Sequence, residues 1–340
     1  MKPKLLVIEL WGLGDLAIAT PFLRAASARF DVTLLAKPYA LDMQRCFWPQ
    51  INVVPFVAPW TAFEKKYYFW RWPLRELVRL VRSLAAEKFD IGLSARLWFF
   101  GARLGGDPRD HFLLSLVRAR ERIGFPNIGS AIFLTRSLAR PAPESHSYES
   151  WRVLGKAIGL ELPARYELPS PLPPRDQRIV FHTGAGRPVR VWPLEYCRRL
   201  AAKLRAMGLC VHIVCNPEQE SWWKQNGETS VKAPETVLEL IDLTRGASAF
   251  IGNDSGPGHL AALCGVPTFI IFGPQLPEWW VPLHPRAEYI EGKACPFKPC
   301  SDSCRFPKPF CIQDLDEETV SRRVEQFVFK HVSANAAPAQ

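Results

Sequence analysis

The sequence predicts an α/β protein made of two Rossmann-like domains, each built on a parallel sheet. Three observations carry this. Two separated segments open in the same way, with a short apolar run, a glycine-containing loop and then a helical pattern. The runs that follow are nearly continuous in apolar residues, as strands buried on both faces are. The chain has 340 residues, 48% of them hydrophobic, which exceeds one ordinary α/β core and suits two domains of roughly 150–170 residues each.

The elements follow in order. KLLVIEL at 4–10 reads as a first buried strand, ending at Gly12–Asp15, with a helical pattern from Ile18 to Phe30. DVTLLAK at 31–37 and FDIGLSA at 89–95 read as further strands, and LRELVRLVRSLAAEK at 74–88 as an amphipathic helix. Within that helix Leu74, Leu77, Val78, Val81 and Leu84 are expected on one sheet-covering face, with Arg75, Arg79 and Arg82 away from its centre. The second half repeats the opening. RIVF at 178–181 leads into His182–Gly186 and a helix over Leu194–Met207. CVHIVCN (210–216), SAFIGN (248–253) and PTFIIFG (267–273) are strand-like; 236–247 and 256–265 are helix-like.

The stretch 162–177 carries five prolines and no periodicity, so it is expected to be an extended, semi-rigid connection. The division expected is therefore a first domain over 1–165, a linker over 166–177, a second domain over 178–332 and a disordered tail over 333–340. The two sheets are expected to face a central cleft.

Charged residues make up 22% of the chain, a globular composition. The N-terminal apolar run is too short for a spanning helix and lacks a cleavage site, so a cytoplasmic protein is expected. The net charge of +10 favours anionic partners. Thirteen Lys and Arg against seven Asp and Glu fall between Trp60 and Phe125. No segment looks like a nucleic-acid recognition helix or RNP motif. A basic, aromatic region at 60–84 has two readings: a sheet-covering helix with a solvated basic face, or contact with phosphorylated lipid or anionic headgroups through Lys65, Lys66, Arg71 and neighbouring Tyr and Trp side chains.

Three strings carry candidate chemistry. In WGLGDLAIATPFLRA (11–25), Gly12 and Gly14 permit tight turns. Asp15 then reads as a helix cap, as a general base, or as both. In FHTGAGRPVRVWPLEYCRRL (181–200), Gly184, Ala185 and Gly186 offer backbone amides to an anion, and Arg190 adds a donor fork suited to phosphate. In FIGNDSGPGHLAALCGVPTFIIFGP (250–274), a strand ends at Asn253–Asp254. Ser255, Gly256, Pro257 and Gly258 then open a helix, with His259 in its first turns. That arrangement places amides and a hydroxyl at the carboxyl end of the sheet.

The ordered set of Gly-Asp-x5-Pro, Gly-Ala-Gly…Arg…Trp-Pro and Asn-Asp-Ser-Gly-Pro-x-His-x-Ala-Ala resembles the heptosyltransferases of glycosyltransferase family 9. The resemblance runs from about residue 4 to residue 325 and is thin between roughly 40 and 170. It implies the GT-B architecture and inverting transfer of heptose from an ADP-sugar to the lipopolysaccharide core, without a catalytic metal or other cofactor. It further implies a nucleotide sugar and an anionic glycolipid as partners, with peripheral contact at the cytoplasmic face of the inner membrane. Asp15 matches the family's proposed base. Gly184 to Gly186 match the donor-phosphate loop, and Arg190 stands where a lysine is usual. Asp254 to His259 match the donor-binding turn, and Glu218 or its competitor Glu220 the acid that holds the ribose. A transferase for another nucleotide sugar, or a sugar-nucleotide epimerase, is the alternative on the same fold.

Cys295, Cys300, Cys304 and Cys311 stand apart from these motifs. Four thiols within 17 residues are compatible with a closed structural zinc site, although the usual C-x2-C pairs are missing. A redox-labile cluster and plain packing are the other readings.

Overall fold

The computed structural model describes residues 2–62, 68, 70, 72–100, 103–127, 129–168, 176–300 and 303–332. Lys65, Lys66, Arg71, the stretch 169–175 and the tail 333–340 lie outside them. The chain divides into two compact units, Met1–Pro163 and Ala164–Gln340.

In the first unit β1 (Lys4–Glu9) leads to α1 (Leu13–Arg29), β2 (Asp31–Ala36), α2 (Ala40–Phe47) and β3 (Asn52–Pro55). Then come α3 (Leu74–Ala86), β4 (Ile91–Ser94), a β5–β6 hairpin (Leu97–Phe100, Arg103–Gly106) and α4 (Pro108–Val117). The unit closes with β7 (Glu121–Gly124), β8 (Arg136–Ser137) and α5 (Tyr148–Ala157). Its main sheet has the order β3-β2-β1-β4-β7-β8, parallel throughout. Leu5, Leu6, Val7 and Ile8 are fully buried, because helices cover both faces of such a sheet.

The second unit begins with β9 (Arg178–His182), α6 (Leu194–Ala206), β10 (Cys210–Val214), α7 (Pro217–Gln225) and α8 (Val237–Thr244). It continues with β11 (Ala249–Asn253), α9 (Gly256–Leu263), β12 (Thr268–Phe272), α10 (Pro277–Trp280) and β13 (Ala287–Glu291). It ends with α11 (Phe310–Gln313) and α12 (Glu317–His331). Its parallel sheet has the order β10-β9-β11-β12-β13. The core between the sheet and α6 and α12 includes Phe181, Trp192, Phe269 and Phe327.

In each sheet the strand order reverses direction once, at β1/β4 in the first unit and at β9/β11 in the second. The loops leaving adjacent strands diverge there and leave a crevice at their carboxyl ends. The three candidate motifs leave β1, β9 and β11, so both reversal points carry them.

The structure corrects one expectation about α3. Leu77, Leu80, Val81 and Leu84 pack toward the core, but Leu74 and Val78 are exposed at 58% and 49%. The inward stripe is centred a residue or two away from the face read from the sequence. Among the described residues no helix is long and apolar enough to cross a membrane.

Candidate active site

The first site surrounds Asp15, in the first turn of α1. Gly12 is the N-cap, so Asp15 is the third helical residue and not the cap itself. One carboxylate oxygen, Oδ2, accepts from the Gly12 amide at 3.0 Å. The other, Oδ1, accepts from Arg96 Nη1 at 3.0 Å. The Asp15 side chain stays about one-fifth exposed (22%), which leaves it open to a ligand. A carboxylate in a helix's first turn is also stabilised by the free amides there.

Arg96 follows β4, whose Ser94 lies beside Ile8 of β1. Strand adjacency thus joins two residues far apart in sequence. The Arg96 guanidinium lies 4.0 Å from the centre of the Trp11 ring, and Arg109 approaches the same ring at 5.9 Å. Trp11 is itself held at both ends. Its amide donates to Glu9 Oε1 at 3.1 Å, and its carbonyl accepts from the Tyr39 hydroxyl at 3.0 Å.

Two further carboxyl groups lie beneath this surface. Burial, and then the charge of Asp15, push the Glu9 carboxyl up to about 8. Burial likewise pushes Asp110 up to about 8, Asp107 adding to the shift, although Ser94 Oγ donates to it at 3.0 Å. Burial thus biases both carboxyls toward the neutral, protonated form. Lys37 is lowered by burial, against the pull of Asp15 and Glu9.

The second site is formed by two loops. After β9, the carbonyl of Thr183 accepts from Asn253 Nδ2 at 2.9 Å, and the carbonyl of Ala185 from Asn216 Nδ2 at 2.9 Å. Thr183 Oγ1 accepts from Trp223 Nε1 at 3.1 Å. The loop is therefore anchored by residues of β11, of α7 and of the loop before α7. Gly184 is required by close approach, since a Cβ there would fall inside the Asn216 carboxamide. Gly186 faces open space.

Arg190 Nη1 meets Asp254 Oδ2 at 3.3 Å, so the second and third motifs converge on one ion pair. Asp254 is buried and Arg190 is about one-quarter exposed (24%). Ser255 N-caps α9 and its hydroxyl donates to the Asn253 carbonyl at 3.1 Å. Gly256, Pro257 and Gly258 form the first turn of α9. His259 is buried, and burial followed by the charge of Arg190 lowers it to about 4. His182 is lowered by burial to about 4 as well. Both imidazoles are neutral at pH 7, so the fixed positive charge here comes from Arg190.

The two acidic candidates on α7 separate. Glu218 Oε1 accepts from Asn216 Nδ2 at 2.9 Å, the same amide group that holds Ala185. Glu220 pairs with Lys224 one helical turn on, at 2.6 Å.

Cys295, Cys300, Cys304 and Cys311 line one cavity with Phe297, Phe306 and Phe310. The sequence placed them within reach of one another, and the fold brings them together. Among the described residues no three Cys, His, Asp or Glu side chains are arranged to hold a metal ion.

Asp15, Arg190 and the Asp254–His259 turn stand out in the sequence as candidates; Glu9, Trp11, Asp110 and Asn216 do not, and Asn253 stands out only as the end of a strand. Trp11 and Asn253 lie inside the quoted motifs, so their position was a usable signal. Asn216 ends a strand-like run, a frequent place for ligand loops, whereas nothing local marks Asp110.

The model of glycosyltransferase family 9 (heptosyltransferase) matches residues 77–308. Lipopolysaccharide heptosyltransferase 1 of Pseudomonas aeruginosa is 26% identical over 167 residues, 43% of this chain and 47% of that protein. The chain thus spans about half the length of this curated relative in the match. Among solved structures, the family 9 glycosyltransferase of Veillonella parvula superposes with a TM-score of 0.73 at 18% identity, covering 97% of this chain and 98% of that one. E. coli heptosyltransferase WaaC, solved with ADP, superposes with a TM-score of 0.70 at 17% identity, covering 95% and 99%.

Proposed function

The chain belongs to glycosyltransferase family 9, the heptosyltransferases, and we propose that it transfers a heptose or closely related sugar from an ADP-linked donor to a lipopolysaccharide core acceptor, with inversion. Its architecture is GT-B. The observation that carries the proposal is the setting of Asp15: a partly open carboxylate at a sheet's reversal point, with each oxygen steadied by one donor. The identity of the donor is supported by relatives, among them WaaC solved with ADP-2-deoxy-2-fluoro heptose.

In the proposed reaction the acceptor hydroxyl oxygen attacks the anomeric carbon, and its proton passes to Asp15. The bond from that carbon to the diphosphate oxygen breaks on the opposite side, and ADP leaves. Negative charge gathers on the diphosphate. Arg190, the Ser255 hydroxyl and the amides of the 184–186 loop and of the α9 N-terminus are the groups proposed to stabilise it. Glu218 is proposed to hold the ribose, because its link to Asn216 ties it to the 184–186 loop. No resident cofactor is assigned a step. The acceptor is an anionic glycolipid, met at the cytoplasmic face of the inner membrane.

The test is transfer from ADP-heptose to a heptose-deficient core acceptor, followed by mass spectrometry. Asp15→Asn is expected to lower kcat by at least about a hundredfold, the usual scale for a general base, with ADP binding intact. Transfer at the wild-type rate by that variant removes Asp15 from the mechanism. Product only with UDP- or GDP-sugars overturns the donor assignment.

A further inference from the structure

Helix α3 carries a second apolar strip that the core does not use. Leu74 and Val78 lie one turn apart on its outer side and are exposed at 58% and 49%. Beyond the helix start, Trp70 is exposed at 76% and stacks on Tyr68 with ring centres 5.0 Å apart. Arg75, Arg79 and Arg82 are exposed beside the Leu74–Val78 strip, with Glu76 as the one acidic side chain between Leu74 and Ala86.

We propose that this ridge is where the first unit docks on a bilayer with anionic headgroups. Trp70, Leu74 and Val78 would enter the headgroup–acyl boundary, and the three guanidinium groups would lie against lipid phosphates. The chemistry favours a membrane over a protein partner. A row of Arg along an apolar strip headed by an aromatic pair matches the layered polarity of a bilayer surface. Apolar side chains exposed together and rimmed by basic ones are the kind of surface that meets a membrane or a partner. The root of the ridge also connects to the first site. Trp72 packs on Trp60 with centres 5.6 Å apart, the Trp60 carbonyl accepts from Arg109 at 3.3 Å, and Arg109 approaches Trp11. A docked ridge would bring a lipid-anchored acceptor to the same unit as Asp15. This inference rests on reading the acceptor as a glycolipid.

The experiment is co-sedimentation of the full chain with phosphatidylcholine vesicles and with vesicles containing phosphatidylglycerol, at low and high salt. Binding is expected only to the anionic vesicles, and is expected to weaken with salt. Leu74→Glu/Val78→Glu and Arg75→Glu/Arg79→Glu should each reduce it at least about tenfold. Trp70→Ala, outside the helix, should reduce it less. All variants should turn over a deacylated, water-soluble acceptor at the wild-type rate, which tests the transferase reading separately. The docking proposal is overturned if the chain ignores anionic vesicles or if the variants bind them as the wild type does. It is also overturned if Leu74→Glu/Val78→Glu dissociates a dimer, since a second copy would then cover the ridge.

Discussion

Arg96 rests its guanidinium 4.0 Å from the centre of the Trp11 ring while its Nη1 reaches Asp15 Oδ1 at 3.0 Å. The aromatic face thereby sets the angle from which a cation meets the candidate base. The hold carries a desolvation cost, because Arg96 Nε is buried with no hydrogen-bond partner among the described residues. Trp11 supplies the compensating surface, with its backbone tied to Glu9 and Tyr39.

Trp11→Leu removes the ring and is expected to lower kcat about tenfold, in line with the loss of one partly desolvated cation–π contact. Trp11→Phe keeps a ring and should stay within about twofold. In an Arg96→Ala background the Trp11→Leu change should add nothing further, since coupled residues are non-additive. Equal losses from Trp11→Leu with and without Arg96 would show that the ring acts by another route.

Glu9 predicts a pH signature in stability. Its folded-state pKa is raised, to about 8. Such a group stabilises the fold below the unfolded carboxyl value, and that contribution is lost as pH rises through about 8. Glu9→Gln stays neutral throughout. Its melting temperature relative to wild type should therefore climb between pH 5 and pH 8. A constant offset across that range would mean that Glu9 titrates normally.

Acid should destabilise the protein for the opposite reason. His111, His182 and His259 are each lowered to about 4 by burial. Depressed bases stay neutral in the fold while the unfolded chain takes up protons, so stability falls as pH drops from about 6.5 toward 4. His182→Gln and His259→Gln, read by thermal melts at pH 7 and pH 5, should each narrow the acid-dependent drop. An unchanged drop in both would argue that these imidazoles titrate in the fold as they do in the unfolded chain.

Gly184→Ala should displace Asn216, whose side chain occupies the space beside Gly184. The hydrogen bonds from Asn216 to Ala185 and Glu218 would then be lost. ADP affinity, measured by calorimetry, is expected to fall about tenfold, the equivalent of one hydrogen bond. Wild-type affinity in the variant would separate the 184–186 loop from the donor site.

Glu218→Gln and Glu220→Gln should differ. The first alters a carboxylate joined to the loop through Asn216, the second one paired with Lys224 on the helix. Only Glu218→Gln is expected to weaken ADP binding, again by about tenfold. The reverse ranking would reassign the ribose contact to Glu220.

Much of this was readable from the chain, for local reasons. The strands 4–9, 31–36, 178–182, 249–253 and 268–272 are apolar runs, because parallel strands buried on both faces admit little else. The short strands 52–55, 97–100, 103–106, 121–124 and 136–137 were not identified, since strands so short carry little periodicity; 91–94 was legible only because it lies inside the longer strand-like run 89–95. Strand 287–291, AEYIE, lies at the sheet edge, where half-exposed positions take polar residues. Leu74 and Val78 looked like core because a five-residue apolar face fits more than one rotation of the helix.

The sequence alone determined that Asp15 follows a first buried strand, that Gly184–Gly186 and Asp254–His259 follow later ones, and that all three strings occur in the order of one family. Each is a property of neighbouring residues, because a tight turn, a helix start or a buried strand is specified within a few positions. Only the tertiary structure decided that Arg96 meets Asp15, that Arg190 meets Asp254, that Asn216 and Asn253 pin one loop, and which side of α3 faces outward. Those pairings depend on which strands lie side by side. Sheet order is set by packing over the whole unit, so no local stretch of sequence records it.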